Sequence, residues 1–346
     1  MTSEVIRQTA IDELMAGNTF YSRSAGDLTL CSALADWLDE KFQIQTDAEK
    51  IVITPGCKQA LFYGFMGLGN PGDEVLLLAP AWPSYASMVK HLSMIPVDVP
   101  VNMDGFHPDM GALEAAVTEK SKFLVINSPN NPTGAVYTKE EVEALVSFAC
   151  KHDLWILDDM IYATMTWEGS HYTSPSTAPG GKERTMTIGG WSKAWAMTGW
   201  RLGYITGPEK AMKAIRLCQS NTASHAPTFL MPAARTALAD EERRLEMQES
   251  FSERRLLILN ELQTIPMISF WKPEGAFYVM IDISETGMDS IEFAERAMSE
   301  AKVQLIPCSL MPFGEGMCRI SYATSVENII EGCARLRKWL SGLQLT

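Results

Sequence analysis

The sequence lacks the patterns of several protein classes. It has no uninterrupted apolar stretch of the roughly 18 residues that a membrane-spanning helix needs. Its 7 cysteines are scattered without a C-x-x-C pair, which favours reduced thiols in a cytosolic protein over disulfides or a zinc site. Basic residues are outnumbered, with 29 Lys+Arg against 42 Asp+Glu and a net charge of −13. We therefore expect neither a membrane protein nor a nucleic-acid-binding protein.

Signals for secretion, metal binding and dinucleotide binding are weak as well. Residues 1–10 carry charged and polar groups where a signal peptide needs an apolar run. The 5 histidines form no H-E-x-x-H motif, so no metal is expected. Residues 67–72 match G-x-G-x-x-G, but a predicted helix precedes them and a predicted strand follows. That order indicates the end of a helix and a turn instead of a dinucleotide site.

The sequence contains a repeated strand–helix alternation. Its 346 residues are 46% hydrophobic, which is enough for a large core and favours about two domains. Thr138, with Glu141 as a capping-box partner, predicts the start of one of the helices. Predicted strands cover residues 51–54, 74–79, 95–101, 122–127, 154–158, 185–188 and 201–206. Continuous apolar strands between amphipathic helices predict an α/β fold with a mostly parallel sheet covered on both faces.

The pattern changes after Pro208. We predict a loop over 218–232 and a long, heavily charged helical stretch over 235–262. The last part of the chain predicts strands at 276–283 and 319–322, with helices at 290–300 and from 326 onward. This mixture indicates a second, smaller α+β domain.

Polar residues follow several predicted strands, where an open α/β sheet binds its ligands. Gly56 and Lys58 lie in a turn that opens a helix, which suits an anion such as phosphate. Trp82 either packs in the core or stacks on a flat ligand. Two prolines and a glycine fix the backbone around Asn131, whose amide could face a ligand. Asp159 ends a buried strand, where a carboxylate requires a cationic partner.

The most informative segment is 192–204 (SKAWAMTGWRLGY), in which Lys193 follows an apolar strand. A lone lysine is usually a solvated surface charge. Here the neighbours are small and apolar, which favours a partly desolvated amine that attacks carbonyl groups. Four predicted groups together fit pyridoxal 5′-phosphate (PLP). They are an amine for a Schiff base, an acid for a pyridinium nitrogen, a ring for stacking and Arg201 for a phosphate.

Residues 127–134 (NSPNNPTG), 159–162 (DMIY) and 192–204 resemble the class I/II, fold-type I aminotransferases. The similarity is greatest to the bacterial aspartate aminotransferase-like branch, and it extends over almost the whole chain. It implies a large PLP-binding domain with a mostly parallel, seven-stranded-type sheet sandwiched by helices, and a smaller α+β domain. The implied division is 1–20 (a shortened N-terminal part of the small domain), 21–235 (large domain) and 236–346 (small domain). The resemblance also implies a homodimer with shared active sites, and the reduced cysteines lead us to expect it in the cytoplasm.

The resemblance implies a role for each matching residue. Lys193 would form the Schiff base and move the proton, and Asp159 would pair with the pyridine nitrogen. Tyr162 would hydrogen-bond the phenolic oxygen of the ring. The implied cofactor-binding residues are Gly56, Cys57, Lys58, Trp82, Asn131, Asp159, Tyr162, Ser192, Lys193, Arg201 and, reaching the neighbouring subunit's cofactor, Tyr21. The implied substrate-binding residues are Arg319 for the α-carboxylate, Asn131, Trp82 and Lys58, whose side chain either meets a distal carboxylate or points to solvent.

The reaction is less clearly specified than the fold. We expect transfer of the amino group of an L-α-amino acid to a 2-oxo acid by ping-pong chemistry. A specialised PLP enzyme on the same scaffold, such as a lyase, racemase or amino-acid oxidase, is the alternative. It is motivated by the lack of a match to the family's N-terminal, glycine-bearing closing segment; a further departure is Met160, where the family usually has Glu. A ligand-sensing domain without turnover is a third hypothesis, which the acidic composition disfavours.

Overall fold

A seven-stranded sheet forms the centre of the computed structural model, which describes residues 1–343. Its strands are β1 (Ile51–Thr54), β2 (Glu74–Ala79), β3 (Ile95–Pro100), β4 (Ser121–Ile126), β5 (Trp155–Asp159), β6 (Thr185–Gly190) and β7 (Gly203–Thr206). Their spatial order is β1-β7-β6-β5-β4-β2-β3, and only β7 runs antiparallel to its neighbours. The predicted mostly parallel α/β sheet is therefore confirmed.

Helices cover both faces of this sheet. They are α1 (Glu4–Met15), α2 (Leu28–Phe42), α3 (Cys57–Leu68), α4 (Ser84–His91), α5 (Met110–Ala116), α6 (Lys139–Lys151), α7 (Glu209–Ser220) and α8 (Met231–Ala239). Leu157 packs on one face with residues of α3 and α7, whereas its neighbour Ile156 packs on the other face with residues of α6. Burial on both faces explains why these strands are continuously apolar. None of the helices within residues 1–343 is long and apolar enough to cross a membrane.

A second, antiparallel sheet lies in the C-terminal part of the chain. It contains β8 (Ser269–Phe270), β9 (Tyr278–Asp282), β10 (Ile306–Pro307) and β11 (Met317–Ser321) in the order β10-β11-β9-β8. Its helices are α9 (Glu241–Leu262), α10 (Ser290–Arg296), which continues as a π-helical turn over Ala297–Ala301, and α11 (Val326–Leu343). Ile258 of α9, Ile281 of β9 and Leu336 of α11 share one buried cluster.

The structure corrects the bounds of one predicted element between residues 218 and 262 and shows a break in another. The predicted loop over 218–232 is shorter, because α7 continues to Ser220 and α8 begins at Met231. Pro232 did not exclude a helix, since a proline in the first turn costs no hydrogen bond. The predicted helical stretch over 235–262 is helical but interrupted at Asp240, where α8 and α9 meet and where the φ of −85° and ψ of 60° are not helical. Asp240 instead accepts a hydrogen bond from Ser3 Oγ at 2.7 Å.

Two local predictions are confirmed. The side chain of Thr138 accepts from the backbone of Glu141, and Glu141 accepts in return from the backbone of Thr138, which forms the capping box of α6. The G-x-G-x-x-G segment lies where α3 ends, with Gly69 as the C-cap residue. A Cβ at Gly69 would lie 2.9 Å from Phe65 O, so close packing at the helix end explains this glycine.

Asp158 on β5 is a buried acid that forms no ion pair with any cation within residues 1–343. Its Oδ2 accepts hydrogen bonds from the hydroxyls of Tyr172 at 2.5 Å, Ser174 at 3.2 Å and Thr187 at 3.4 Å. Its Oδ1 is buried and has no hydrogen-bond partner among residues 1–343. Burial raises the pKa of Asp158 to about 7.

We expect Asp158 to make the protein less stable as the pH rises from about 4 to about 7. The folded state holds a proton there that the unfolded state has lost, so the free energy of unfolding falls through this window. Asp158→Asn removes the effect, which is on the order of 2 kcal/mol between pH 5 and 8. Urea unfolding at both pH values measures it, with the exposed Asp36→Asn as control. An unchanged pH dependence in Asp158→Asn would contradict the expectation.

Candidate active site

The carboxyl ends of the large-sheet strands open into one cavity of about 390 Å³. Most of the residues predicted from the sequence line it: Cys57, Lys58, Trp82, Asn131, Asp159, Tyr162, Ser192, Lys193, Arg201 and Arg319. Gly56 and Tyr21 are not among the lining residues. Gly56 immediately precedes the lining residue Cys57 at the start of α3, whereas Tyr21 is 92% exposed. The fold therefore gathers residues that are far apart in sequence at the place where α/β sheets bind ligands.

One end of the cavity is suited to an anion. Gly56 has a φ of +88°, and a Cβ there would overlap the guanidinium of Arg201. A glycine thus satisfies both the backbone conformation and the close approach of this cation. The first amides of α3 follow directly and have no partner within the helix, as at any helix start. Arg201 is held by a 2.9 Å hydrogen bond from Nη1 to Thr198 O, so a cation and a helix N-terminus face the same space.

Asp159 at the end of β5 is the buried acid of the cavity, with only 4% of its surface exposed. Burial raises its pKa to about 6. Two donors oppose that rise: Tyr85 Oη lies 2.6 Å from Asp159 Oδ2, and the Ile161 amide lies 3.3 Å from Oδ1. Asn127 Nδ2 donates to the Asp159 carbonyl at 2.8 Å and fixes the end of the strand. Near neutral pH the group is a carboxylate able to hold a cation.

A hydrogen-bonded chain connects this strand end to Arg319 on β11. Asn127 Oδ1 accepts from the Asn131 amide at 2.9 Å, and Asn131 Oδ1 accepts from Arg319 Nη1 at 2.7 Å. The guanidinium carbon lies 4.4 Å from the centre of the Tyr278 ring. Arg319 Nε is buried and unpartnered within the described part of the chain. Arg319 lines the cavity, and an arginine held in this way is prepared to bind a carboxylate.

Lys193 lies between aromatic rings at the centre of the site. Its Nζ is 5.3 Å from the centre of the Phe277 ring and 5.9 Å from that of Tyr162. Burial lowers the pKa of Lys193, and the positive charges of Arg319 and Arg201 act in the same direction. A lower pKa makes the unprotonated, nucleophilic amine more available. Tyr162 Oη shares a 2.8 Å hydrogen bond with Tyr278 Oη.

Trp82, Lys58 and Tyr21 lie at the outer side of the site or beyond it. Trp82 meets the Tyr85 ring edge-on, with centres 5.3 Å apart. The exposed Lys58 places its Nζ 4.8 Å from the centre of the Trp82 ring. Tyr21 contacts only the edge of His225 among the described aromatic rings, with centres 5.6 Å apart. Its exposed side chain is thus available to another molecule.

Several residues that build the site could not be assigned a role from the sequence. Tyr85, which holds Asp159, follows Trp82 by three residues, and this spacing was the only local signal for it. Tyr278 lies in the motif 273–278 (PEGAFY), yet its contacts with Tyr162 and Arg319 depend on how the two sheets meet. The bridging role of Asn127 required the strand end to be known.

Known proteins are similar to this chain in sequence and in fold. The family model for aminotransferase class I and II matches residues 1–336. The chain is 38% identical to the aspartate/prephenate aminotransferase of Thermus thermophilus, over 98% of this chain and 88% of that protein. It is 38% identical to aromatic-amino-acid aminotransferase 2 of Thermococcus litoralis, over 99% of this chain and 90% of that protein. The solved structure of the aromatic aminotransferase from Pyrococcus horikoshii matches with a TM-score of 0.96 and 36% identity, covering 100% and 94% of the two chains.

The family match and the structural similarity identify the chain as a PLP-dependent enzyme of fold type I. The chain belongs to the class I and II aminotransferase family. It is a PLP-dependent aminotransferase, and the names of its relatives do not favour the alternative of a lyase, racemase or oxidase.

Proposed function

We propose that the chain moves the amino group of an L-α-amino acid to a 2-oxo acid by ping-pong chemistry in which Lys193 is the reactive amine. The observation that carries this proposal is the presence of Lys193, Asp159 and Arg319 around one cavity. The three side chains offer an amine of lowered pKa, a buried carboxylate and a carboxylate-binding guanidinium. Amino-group transfer needs these three chemical groups close together.

The residues present fit the cofactor. The glycine at position 56, which leaves space for the Arg201 guanidinium, and the start of α3 would hold the phosphate. Asp159 would hold the ring nitrogen, and Trp82 would stack on the ring. The bound cofactor supplies an aldehyde that combines with amines and a ring that withdraws electrons from the α-carbon of the substrate.

The chain's own residues would bind the substrate and move its proton. Arg319, held by Asn131, would orient the α-carboxylate through two parallel hydrogen bonds. The amine of Lys193 would take up the proton from the α-carbon, which burial favours by lowering its pKa. Tyr162 and Asn131 would donate to the phenolic oxygen of the cofactor, and Ser192 would support the cofactor next to Lys193.

We also propose a cytoplasmic homodimer and the division into residues 1–20, 21–235 and 236–346. The exposed ring of Tyr21 supports the dimer, because its side chain is free to reach the cofactor phosphate of a second subunit. The separate large and small sheets support the division between residues 21–235 and 236–346. This support does not extend to residues 1–20, because α1 packs against α8 through Ile6 and Ala10.

The half-reaction tests the proposed function. The PLP-loaded protein is mixed with aspartate, glutamate, alanine or an aromatic amino acid in the absence of any oxo acid, and the absorbance is followed. Stoichiometric conversion of the bound cofactor to pyridoxamine phosphate, with release of the matching 2-oxo acid, is expected. A persistent cofactor band, oxygen uptake or a released side-chain product would contradict amino-group transfer.

Substitution of Arg319 tests the proposed carboxylate contact. We expect Arg319→Ala to raise the KM of the amino acid by about 30-fold or more, because a buried charge-assisted pair is worth at least about 2 kcal/mol. Initial rates over a range of amino-acid concentrations measure it. Arg319→Lys keeps the charge but cannot form two parallel bonds, so its KM should lie in between. An unchanged KM in Arg319→Ala would place the carboxylate elsewhere.

Substitution of Lys58 tests the choice of substrate. We propose that its exposed ammonium, held over Trp82, meets the distal carboxylate of a dicarboxylic amino acid. Lys58→Ala is expected to raise the KM of aspartate by about 10-fold and to leave that of phenylalanine unchanged. Lys210→Ala is a matched control, because Lys210 lies over the Trp155 ring away from the cavity. Equal effects on both substrates would contradict this role.

A further inference from the structure

Tyr85 and Asp159 form a buried hydrogen bond beneath the cavity. Tyr85 lies in the first turn of α4, is 2% exposed and donates its hydroxyl to Asp159 Oδ2 at 2.6 Å. We infer that Tyr85 is a positioning residue that keeps the Asp159 carboxylate ionised and oriented toward the ring nitrogen of the cofactor. This inference rests on the proposed pairing of Asp159 with that nitrogen.

The orientation of Asp159 is determined by three contacts. Tyr85 binds Oδ2, the Ile161 amide binds Oδ1, and Asn127 binds the main-chain carbonyl. Tyr85 provides the shortest of the three. Its ring also meets that of Trp82 edge-on at 5.3 Å, so one segment supports both the ring-stacking residue and the acid. A change at Tyr85 would therefore act on the cofactor through Asp159.

The charge of Asp159 depends on the same hydrogen bond. Burial raises its pKa to about 6, whereas the hydroxyl of Tyr85 is the first of the groups that lower it. Removal of a hydrogen bond to a charged group shifts its pKa by roughly 1–2 pH units. Without the hydroxyl, Asp159 would be protonated in a large part of the molecules at neutral pH. A neutral acid no longer favours the protonated form of the ring nitrogen.

Other titratable groups face Asp159, and none of them replaces Tyr85. They are Lys193, whose charge lowers the pKa of Asp159, and Cys57, Asp158, Tyr162 and Tyr204, which interact with it through their charges. Among the described side chains, only that of Tyr85 donates a hydrogen bond to this carboxylate. The four groups other than Lys193 are neutral or negative, so they cannot hold the carboxylate in its ionised form.

The test measures PLP binding to the apoenzyme by equilibrium dialysis between pH 5 and 9. Asp159→Asn has no titratable group at position 159. Its pH profile therefore serves as the reference that contains the titration of the cofactor's own phosphate. Relative to that profile, the affinity of the wild-type protein for PLP should decrease as the pH is lowered below about 6. In Tyr85→Phe this decrease in affinity should begin about 1–2 pH units higher, and the affinities of Tyr85→Phe and the wild type should become equal near pH 9.

Tyr63→Phe is a matched control. The ring of Tyr63 is fully buried, and its hydroxyl shares a 2.6 Å hydrogen bond with Thr222 Oγ1, away from the cavity. The variant therefore removes a buried phenolic hydroxyl that does not contact the site. Its profile should equal that of the wild type. A second measurement uses the ¹³C carboxyl resonance of Asp159 in the apoenzyme, identified by its loss in Asp159→Asn, and should show the same upward shift in Tyr85→Phe.

The outcomes separate the inference from the proposed function. If Asp159 titrates at the same pH in Tyr85→Phe as in the wild type, in both measurements, the proposed role of Tyr85 is overturned, whatever the activity of the variant. If wild type and Asp159→Asn bind PLP with identical profiles, the pairing of Asp159 with the ring nitrogen fails, and the inference fails with it. A shift in Tyr85→Phe that Tyr63→Phe does not share would support both.

Discussion

Lys193→Ala is expected to lower kcat by about 10⁴-fold or more, because it removes both the reactive amine and the group that moves the proton. Among the described residues, the only other lysine that lines the cavity is Lys58, which lies beside Trp82. Of the lysines in the described part of the chain, only Lys193 combines a position near the rings of Tyr162 and Phe277 with a lowered pKa. Single-turnover absorbance with the preferred amino acid measures the loss.

Two further variants make this result specific. Lys193→Arg keeps a cation of similar size but remains protonated, so it should be as inactive as the alanine variant. Lys210→Ala removes another lysine that lies over a tryptophan ring and should keep full activity. Because non-covalent contacts through Arg201 and the start of α3 remain, Lys193→Ala should still bind PLP. If Lys193→Ala retained the full biological activity, a ligand-sensing protein without turnover would become the better hypothesis.

The fold was predictable where its signal is local. The apolar runs of the parallel strands and the capping box at Thr138 lie within a few residues of each other, and the structure confirms them. The break at Asp240 was not predictable, because the flanking residues are all good helix formers and the contact with Ser3 comes from the far end of the chain. Tertiary contacts overrode helix propensity at this position.

The site was predictable as a set of loops. Residues at the carboxyl ends of parallel strands must meet, which brought Asp159, Asn131 and Lys193 together in the prediction. The partners of these residues were not predictable. The hydrogen bond between Tyr85 and Asp159 joins residues 74 positions apart, and that between Arg319 and Asn131 spans 188 positions. Such contacts depend on side-chain directions that only the packed structure determines.

Asp159→Asn is expected to lower kcat by about 10²–10³-fold, the usual effect of removing one preorganised electrostatic contact. Asparagine has nearly the same shape and can still accept from Tyr85, so the packing should survive. Its amide is neutral, and the site would then contain the cations Lys193, Arg201 and Arg319 without the buried negative charge. A protonated ring nitrogen would be disfavoured there. The rate of the half-reaction with a saturating amino acid measures the loss.

Asp158→Asn is the matched control for this prediction. Asp158 is also buried and has a raised pKa, but alternate residues of a strand point to opposite faces of the sheet. Its partners Tyr172, Ser174 and Thr187 do not line the cavity. Asp158→Asn should therefore alter the pH dependence of stability and leave kcat near the wild-type value. Equal losses of kcat in the two variants would show that any buried charge at this strand end supports the reaction, and Asp159 would lose its particular role.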